Sequence, residues 1–398
     1  MNMLESTEYW VKKDSHFDDI QNEKHVVVFD WKKNNADEYI KMAESFREAA
    51  YEITYSIACD LRDHAKTDQW FFPAMYLYRQ SIELLCKGLL LCFKEKSECI
   101  KILNDNRHNI FSIFCMLSDK YGDLGLRPEE SAWLRGYLEE LERLDANSNL
   151  FRYPIKDGVL REYNNKFLDV INIANGLEQC YCLMHKCLPS IYHGDDDNDD
   201  IDLEMDTKVI YFASNGICNC MLYESRWETG YYAHIKGYSE VALKLLEKSE
   251  ISKWSFYTIA LLLRHSIELV LKNMLFSRTE YCVDNKIKDS VCRSHSIYKK
   301  LWKSIKPMIE YYVSRHGYDE SQILIAEAYI VELDSIDKSG YMFRYPTNLD
   351  LVHDFKFKQL DFYHSIHWLM ELFNFLDGTS GMLDVSYDYE CEIRSYYP

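Results

Sequence analysis

One stretch of this sequence occurs twice and constrains the fold more than any other feature. Residues 78–90 read Tyr-Arg-Gln-Ser-Ile-Glu-Leu-Leu-Cys-Lys-Gly-Leu-Leu, and residues 263–275 read Leu-Arg-His-Ser-Ile-Glu-Leu-Val-Leu-Lys-Asn-Met-Leu. A shift of 185 positions relates two charged trios, which are Arg79, Glu83 and Lys87 and then Arg264, Glu268 and Lys272. The spacing of four puts each trio on one helix face, where the glutamate can pair with a basic residue on either side. Because the surrounding residues are largely apolar, each trio is either a buried ion-pair ladder or a charged stripe facing a cleft.

A second repeated feature lies near the end of each copy. The sequence Phe-Arg-Tyr-Pro at 151–154 recurs letter for letter at 343–346, and the same shift of 192 positions relates Asp145 to Asp337. This register predicts an internal duplication of an all-helical unit of about 160 residues, whose two copies face each other instead of forming a solenoid. The arginine of each loop is then either a clamp folded back onto a carboxylate of its own unit or part of an anion site. These arginines are Arg152 and Arg344.

The two copies also predict the domain organisation. Helix breakers are scarce, with 14 glycines and 7 prolines in 398 residues, so we expect an all-α fold with short connections. The acidic stretch around 193–206 lacks the order of an EF-hand loop and is interpreted as a solvated linker. The predicted units are residues 1–190, an acidic linker at 191–206 and residues 207–398, with minor strands near 25–30 and 208–213.

Apolar spacing predicts the helices of the first unit. It places helices at about 70–93, 128–144 and 163–187. Asn106 is the expected N-cap of a further helix that runs to Leu117, because asparagine side chains cap exposed helical N–H groups well.

Charge and hydropathy exclude several classes of protein. The net charge of −18 opposes nonspecific adhesion to nucleic acid, although it allows a local basic pocket. No run approaches the roughly 18 uncharged apolar residues of a membrane span. The first residues lack the basic and then apolar layout of a secretion signal, so we expect a cytoplasmic protein without membrane contact.

The 13 cysteines are predicted to be reduced thiols in helical cores, because nothing indicates export. Cys180, Cys182, His185 and Cys187 resemble a metal-binding cluster, but on a helix these residues spread around the axis. We therefore predict neither a metal nor another cofactor.

Three motifs of the second half occur in a fixed order. They are Leu-Arg-His-Ser-Ile-Glu-Leu-Val-Leu-Lys at 263–272, Ser-His-Ser-Ile-Tyr-Lys-Lys-Leu-Trp at 294–302 and Asp-Lys-Ser-Gly-Tyr-Met-Phe-Arg-Tyr-Pro at 337–346. This order resembles the HEPN domain, the small helical-bundle module of prokaryotic toxins, defence nucleases and CRISPR effectors. The resemblance covers most of 207–376 and, more weakly, 36–187. It implies an all-α chain of two HEPN-like helical bundles.

The resemblance also implies a metal-independent endoribonuclease. An imidazole would move the proton of the attacking 2′-hydroxyl, and a guanidinium group would hold the phosphate and offset its charge. The nuclease signature of the family, an arginine followed four to six residues later by a histidine, has no clean instance in either copy. The candidates for proton transfer are His108 and His295, which could instead be capping or packing residues. The candidates for phosphate are Arg79, Arg264, Arg152 and Arg344.

Two functions remain open at this stage. In the first, the chain is a HEPN-class component of a prokaryotic defence or toxin-antitoxin system and cuts RNA. In the second, it is a catalytically degenerate tandem HEPN protein that binds a nucleotide or a partner protein, or scaffolds an assembly. The resemblance favours the first function, whereas the missing signature and the acidic charge favour the second. A partner protein and a homo-oligomer are compatible with both.

Overall fold

The computed structural model describes residues 10–31, 35–60, 62–122, 124–154, 166–193, 201–216, 219–222, 231–276 and 294–396. Over these residues the chain is all-α, as predicted, with a few short strands. The helices of the first half are α1 (Asn35–Ala58), α2 (His64–Phe93), α3 (Lys96–Asn106), α4 (Ile110–Tyr121), α5 (Pro128–Asp145) and α6 (Val170–Lys186). Those of the second half are α7 (Tyr231–Lys248), α8 (Lys253–Phe276), α9 (Lys303–His316), α10 (Ser321–Ile336) and α11 (Phe362–Tyr396), with a π-helix at Ile297–Trp302 leading into α9. None of the helices described is both long enough and apolar enough to cross a membrane.

The helices α2 and α8 carry the two repeated stretches and form the centre of the molecule. Residues 71–90 of α2 and residues 256–272 of α8 are buried without interruption. A helix that is apolar on all sides is stable only when other elements surround it. Helices α1 and α6 cover α2, helices α7 and α11 cover α8, and α7 also packs against α2 across the two halves.

The crossing of α7 over α2 is unusually close at Gly237. A Cβ atom at this position would lie 1.9 Å from the carbonyl oxygen of Gln69, so only glycine allows the two backbones to approach this far. Where α1 approaches α8, the contact is instead polar, because the hydroxyl oxygens of Ser45 and Thr258 lie 3.0 Å apart. The two halves therefore meet through their central helices.

Five short strands join segments that are far apart in the sequence. Strand β1 (Val26–Val28) pairs antiparallel with β5 (Gln359–Asp361), and β2 (Lys166–Leu168) pairs antiparallel with both β3 (Phe212–Ala213) and β4 (Cys220–Leu222). Strands β1 and β3 coincide with the two minor strands that the sequence predicts. The exchange is reciprocal, because the first strand of each predicted unit pairs with the closing strand of the other unit.

Residues 10–31, the N-terminal arm, pack on the second half of the chain. Phe17 is fully buried, and its ring lies 5.5 Å from the rings of Phe357 and Trp368. The backbone N–H of Phe17 donates a hydrogen bond of 2.8 Å to Glu332. The arm therefore supplies part of the core of the second half.

The segment that precedes α7 packs on the first half in the same way. The indole N–H of Trp133 donates to the carbonyl oxygen of Met205 at 2.6 Å, and the backbone N–H of Asp169 donates to Tyr211 at 2.9 Å. Residues 201–206 of the predicted acidic linker thus contact the first half, while residues 194–200 lie outside the described residues. These contacts cross the boundary predicted between the units.

Local capping moves two helix boundaries away from their predicted positions. Asn106 is the last residue of α3, and it is Asn109 that caps α4 by accepting a backbone N–H hydrogen bond of 2.7 Å. The helix expected at 163–187 begins only at Val170, because β2 precedes it and the side chain of Asp169 caps its first turn. Strand pairing and side-chain caps at these positions prevail over apolar spacing.

Candidate active site

Glu83 is the centre of a buried charge cluster on α2. Its Oε1 accepts a hydrogen bond from Nζ of Lys87 at 2.7 Å, and its Oε2 accepts one from Nη1 of Arg79 at 3.1 Å. The Nε of Arg79 lies 3.4 Å from Oδ2 of Asp145. Asp145 in turn accepts hydrogen bonds from backbone N–H groups of the loop that follows α5. The spacing of four thus builds an ion-pair ladder that ties α2 to the end of α5.

Glu268 has the same surroundings on α8. It accepts hydrogen bonds from Lys272 at 2.7 Å and from Arg264 at 3.1 Å. The Nε of Arg264 lies 3.3 Å from Oδ2 of Asp337, which accepts a backbone N–H hydrogen bond from Met342. Both charged trios are therefore buried ladders, and each ends on an aspartate that holds the start of a Phe-Arg-Tyr-Pro loop.

Each glutamate also receives a tyrosine from the opposite half of the chain. The hydroxyl of Tyr345 donates to Oε1 of Glu83, and the hydroxyl of Tyr153 donates to Oε1 of Glu268 at 2.7 Å. The lysine of each trio lies over the ring of the incoming tyrosine, with Nζ 4.2 Å and 4.3 Å from the ring centres. Burial raises the pKa of both hydroxyls, so the tyrosines remain neutral donors. The two clusters are composite, with residues from both halves.

The backbone of each loop is held by the helix that it crosses. The side-chain amide of Gln80 donates to the carbonyl oxygen of Arg344 at 3.3 Å. His265 occupies the position in α8 that Gln80 occupies in α2, and its Nε2 donates to the carbonyl oxygen of Arg152 at 2.8 Å. The Phe-Arg-Tyr-Pro loops are therefore fixed both at the tyrosine hydroxyl and at the backbone.

His108 and His295 lie beside the two glutamates. The Nδ1 of His108 is 3.0 Å from Oε1 of Glu83, and the Nδ1 of His295 is 3.2 Å from Oε1 of Glu268. A carboxylate only accepts hydrogen bonds, so each Nδ1 donates its N–H to the glutamate and Nε2 is the ring nitrogen left for a ligand. The side chains are 16% and 34% exposed, in that order, so a substrate can reach them.

The surrounding charges set the protonation of the site. Burial would raise the pKa of Glu83 and Glu268, but the adjacent lysine, histidine and arginine hold the pKa of both carboxyls well below its usual value. Burial lowers the pKa of His108, and the negative charge of Glu83 opposes this effect only in part. His108 is therefore neutral at pH 7 and able to accept a proton.

One cleft between the halves brings both histidines together. Its volume is about 440 Å³, and we call it the histidine cleft. Its lining includes His108, His295, Arg107, Arg152 and Arg344. Four of the residues predicted from the sequence therefore line one place, although Arg152 and Arg344 are themselves only 4% and 3% exposed. Arg79, Arg264 and the rest of each trio are buried in the charge clusters.

Arg152 and Arg344 bring positive charge to the cleft without a matching carboxylate. Within the described ranges, neither has a carboxylate at ion-pair distance, because Asp145 and Asp337 pair with the arginines of the trios instead. These two aspartates therefore do not form the clamp that was expected between each loop arginine and a carboxylate of its own unit. The two guanidinium groups lie 5.0 Å and 5.3 Å from the ring centres of the tyrosines that follow them. The cleft is also lined by Asp105 and Glu142, so the anion that two guanidinium groups favour would bind beside the arginines.

Several residues of the site were not identified from the sequence. Tyr153 and Tyr345 complete the clusters, and the letter-for-letter repeat of their loops was the signal that could have revealed them. Arg107, Asn149 and Tyr341 line the cleft, but no spacing in the sequence distinguishes them. They reach it because the two halves face each other, which local patterns do not encode.

Comparison of the chain with protein-family models, with curated proteins and with solved structures finds no match. The site is therefore interpreted from its own geometry.

Proposed function

We propose that the chain is a metal-independent endoribonuclease whose active site is the histidine cleft. The observation that carries this proposal is that His108 and His295, one from each half, line a single cleft together with Arg152 and Arg344. Two imidazoles can supply the base and the acid for an internal phosphoryl transfer of RNA, and guanidinium groups without a carboxylate at ion-pair distance among the described residues can hold its phosphate.

In the proposed reaction, Nε2 of one histidine takes the proton of a 2′-hydroxyl, and the freed oxygen attacks the adjacent phosphorus. The bond between phosphorus and the 5′-oxygen breaks, and the other histidine protonates this leaving oxygen. The products are a 2′,3′-cyclic phosphate and a 5′-hydroxyl. Because the acid and the base come from different halves, neither half is complete alone.

The residues around the histidines have supporting roles in this mechanism. Arg152 and Arg344 hold the phosphate and offset the charge that develops on its oxygens. Glu83 and Glu268 orient the imidazoles through Nδ1 and stabilise the positive charge on whichever ring has taken up a proton. The low pKa of both carboxyls keeps them ionised for this role.

The proposal includes the family and the setting that the sequence motifs suggest. The matching contacts around Glu83 and Glu268 support an internal duplication of a HEPN-like unit. The resemblance places such a protein in a prokaryotic defence or toxin-antitoxin system. Here the adjacent Arg107 and His108 line the cleft together, although they lack the spacing of the family signature.

Incubation with end-labelled single-stranded RNA in EDTA tests the proposed activity. We expect cleavage products that end in cyclic phosphate, and a loss of rate of about 10²-fold or more in a His108→Ala/His295→Ala double variant. RNA methylated at every 2′-oxygen should remain intact. His193→Ala, an exposed histidine outside the cleft, is the matched control and should cut normally. Absence of cleavage by the wild type, or equal cleavage by wild type and double variant, would overturn the proposal.

A binding function without catalysis is the second candidate. The net charge of −18 and the missing signature favour it. In this case the same arginines hold a nucleotide or an acidic group of a partner protein, without bond cleavage. Retention of RNA by the wild type without any products, lost on substitution of Arg152 and Arg344, would identify this function.

A further inference from the structure

A second cavity adjoins the histidine cleft and has a volume of about 660 Å³. It shares Arg107, His108 and Tyr341 with the cleft, and the loop at 346–350 forms much of its remaining wall. We call it the Tyr341 cavity. A chain bound with one phosphate in the cleft would have its neighbouring nucleotide within reach of this cavity.

Tyr341 stands where the cleft and the cavity meet. Its side chain is 43% exposed, and its ring is nearly parallel to the imidazole of His108, at an interplanar angle of 16°. Tyr345 is stacked against it, with ring centres 5.7 Å apart, and the guanidinium carbon of Arg344 lies 5.7 Å from the centre of the Tyr341 ring. A partly exposed ring that its neighbours hold in place is a platform on which a nucleobase can stack.

Both spaces are lined by charges of either sign. The cleft has Arg152 and Arg344 together with Asp105 and Glu142, and the cavity has Arg107 and Lys338 together with the exposed carboxylates of Asp350 and Asp354 at its rim. Arg152 and Arg344 line the cleft and not the cavity, so a phosphate is attracted to them and repelled by the rim. Carboxylates accept hydrogen bonds from the amino groups of adenine, guanine and cytosine, and uracil has no such group.

The rim is ordered by its own hydrogen bonds. The side-chain amide of Asn348 donates to Asp354 at 3.0 Å, and its oxygen accepts backbone N–H hydrogen bonds from Asp350 and Val352 at 2.9 Å and 3.1 Å. The carboxylate of Asp354 and the backbone of Asp350 are thus held in place before any ligand arrives, which reduces the entropy lost on binding.

The related position of the other half has no aromatic side chain. The residue related to Tyr341 by the shift of 192 positions is Asn149, which also lines the cleft but has no ring. The site is therefore asymmetric even though the charge clusters match. A base can stack on one side of the scissile phosphate only.

We propose that the Tyr341 cavity is a nucleobase subsite, which takes a base bearing an exocyclic amino group. The ring stacks on Tyr341, the amino group faces Asp350 and Asp354, and the adjoining phosphate lies on the arginines. This inference rests on the proposed function, since it names the part of the RNA that the same site recognises.

Nucleotide binding and RNA cleavage, measured side by side, test the subsite. We expect AMP and CMP to bind the wild type more tightly than UMP in calorimetric titrations, and poly(A) and poly(C) to be cut faster than poly(U). Tyr341→Leu should weaken AMP binding roughly tenfold or more and Tyr341→Phe much less, because stacking needs the ring and not the hydroxyl. The double variant Asp350→Asn/Asp354→Asn should show a smaller difference in affinity between AMP and UMP than the wild type does. Tyr389→Leu, an exposed tyrosine on α11 outside both spaces, should bind like the wild type.

The outcomes separate the subsite from the proposed activity. If poly(U) and poly(A) are cut at equal rates, and Tyr341→Leu does not change these rates, the subsite is overturned and the proposed nuclease activity is supported. AMP binding that depends on Tyr341, without cleavage of any RNA, would support the subsite and overturn the nuclease. Equal binding of AMP by wild type and Tyr341→Leu would also overturn the subsite, provided that both proteins melt at the same temperature.

Discussion

At the scale of single residues, each buried trio and its aspartate combine two basic side chains with two carboxylates. A single oxygen of Glu83, Oε1, contacts Lys87, His108 and Tyr345. The same oxygen of Glu268 contacts Lys272, His295 and Tyr153. Removing one partner of a buried pair leaves an unsatisfied charge, which costs more than the intact pair contributes. Tyr153 and Tyr345 therefore each donate a hydrogen bond to the glutamate of the opposite half, which that half does not supply itself.

The matched positions Gln80 and His265 give a pH prediction. Burial and the charge of Arg152 hold the pKa of His265 well below its ordinary value, so the folded protein keeps this ring neutral. The unfolded chain takes up a proton below about pH 6.5, so the stability that depends on His265 is complete above that pH and is lost as the pH falls. Glutamine makes the same backbone contact in the first half, so His265→Gln should preserve it.

We expect His265→Gln and wild type to have similar unfolding free energies near pH 8. Near pH 5.5 the variant should have lost about 1 kcal/mol less than the wild type. Urea denaturation followed by fluorescence measures the unfolding free energy at both pH values. His193→Gln, a substitution of an exposed histidine, is the control. Parallel stability profiles for all three proteins would contradict the low pKa of His265.

Sequence spacing could predict the ladders but not their surroundings. The interval of four between Arg79, Glu83 and Lys87 is enough to place the three on one face, and they do pair in that way. The hydroxyl of Tyr345 reaches Glu83 from a residue 262 positions away, and no local pattern encodes such a contact. Four residues of the cleft could be predicted from the sequence, but their grouping in one cleft became visible only with the tertiary structure.

At the scale of helices and strands, tertiary packing determines the structure of those segments whose intrinsic propensity is ambiguous. The long apolar stretches of α2 and α8 were predictable, because they have few alternatives to a buried helix. Helix α3 and strand β2 are short, and their formation depends on tertiary contacts more than on pattern. The same dependence explains the shifted start of α6.

The close crossing of α2 and α7 gives a prediction at this scale. Alanine normally stabilises a helix relative to glycine by up to about 1 kcal/mol. At Gly237, however, the added Cβ would collide with the carbonyl oxygen of Gln69, so Gly237→Ala should destabilise the protein by about 1–3 kcal/mol as the helices separate. At Gly381 on α11, a Cβ meets no atom within 4 Å, so Gly381→Ala should be neutral or stabilising. Thermal unfolding measures the change in melting temperature of each variant. An equal change in Gly237→Ala and Gly381→Ala would contradict the close crossing.

At the scale of the whole molecule, the two halves are interlocked instead of merely apposed. The N-terminal arm enters the core of the second half, and the segment before α7 lies on the first half. The sequence predicts two repeated units, but a short strand carries no mark of which half it will join. The exchange therefore lies beyond what composition and spacing can show.

Phe17 tests the interlocking directly. It is fully buried although it lies in the N-terminal arm, so Phe17→Ala should lower the unfolding free energy by about 3–5 kcal/mol. Hydrogen exchange should rise most in α11 and β5, which are more than three hundred residues away in sequence, and less in α1. Ile20→Ala, in the same arm but 43% exposed, is the control. Faster exchange confined to the first half would show that the arm does not stabilise the second.

The reciprocal strand pairing has a consequence for synthesis on the ribosome. Strand β1 emerges more than three hundred residues before its partner β5, and Glu83 emerges 262 residues before Tyr345. Since chains emerge from the N-terminus onward, the histidine cleft and both strand pairings stay incomplete until the second half has been made. The first half therefore waits, during synthesis, for contacts that only the second half supplies.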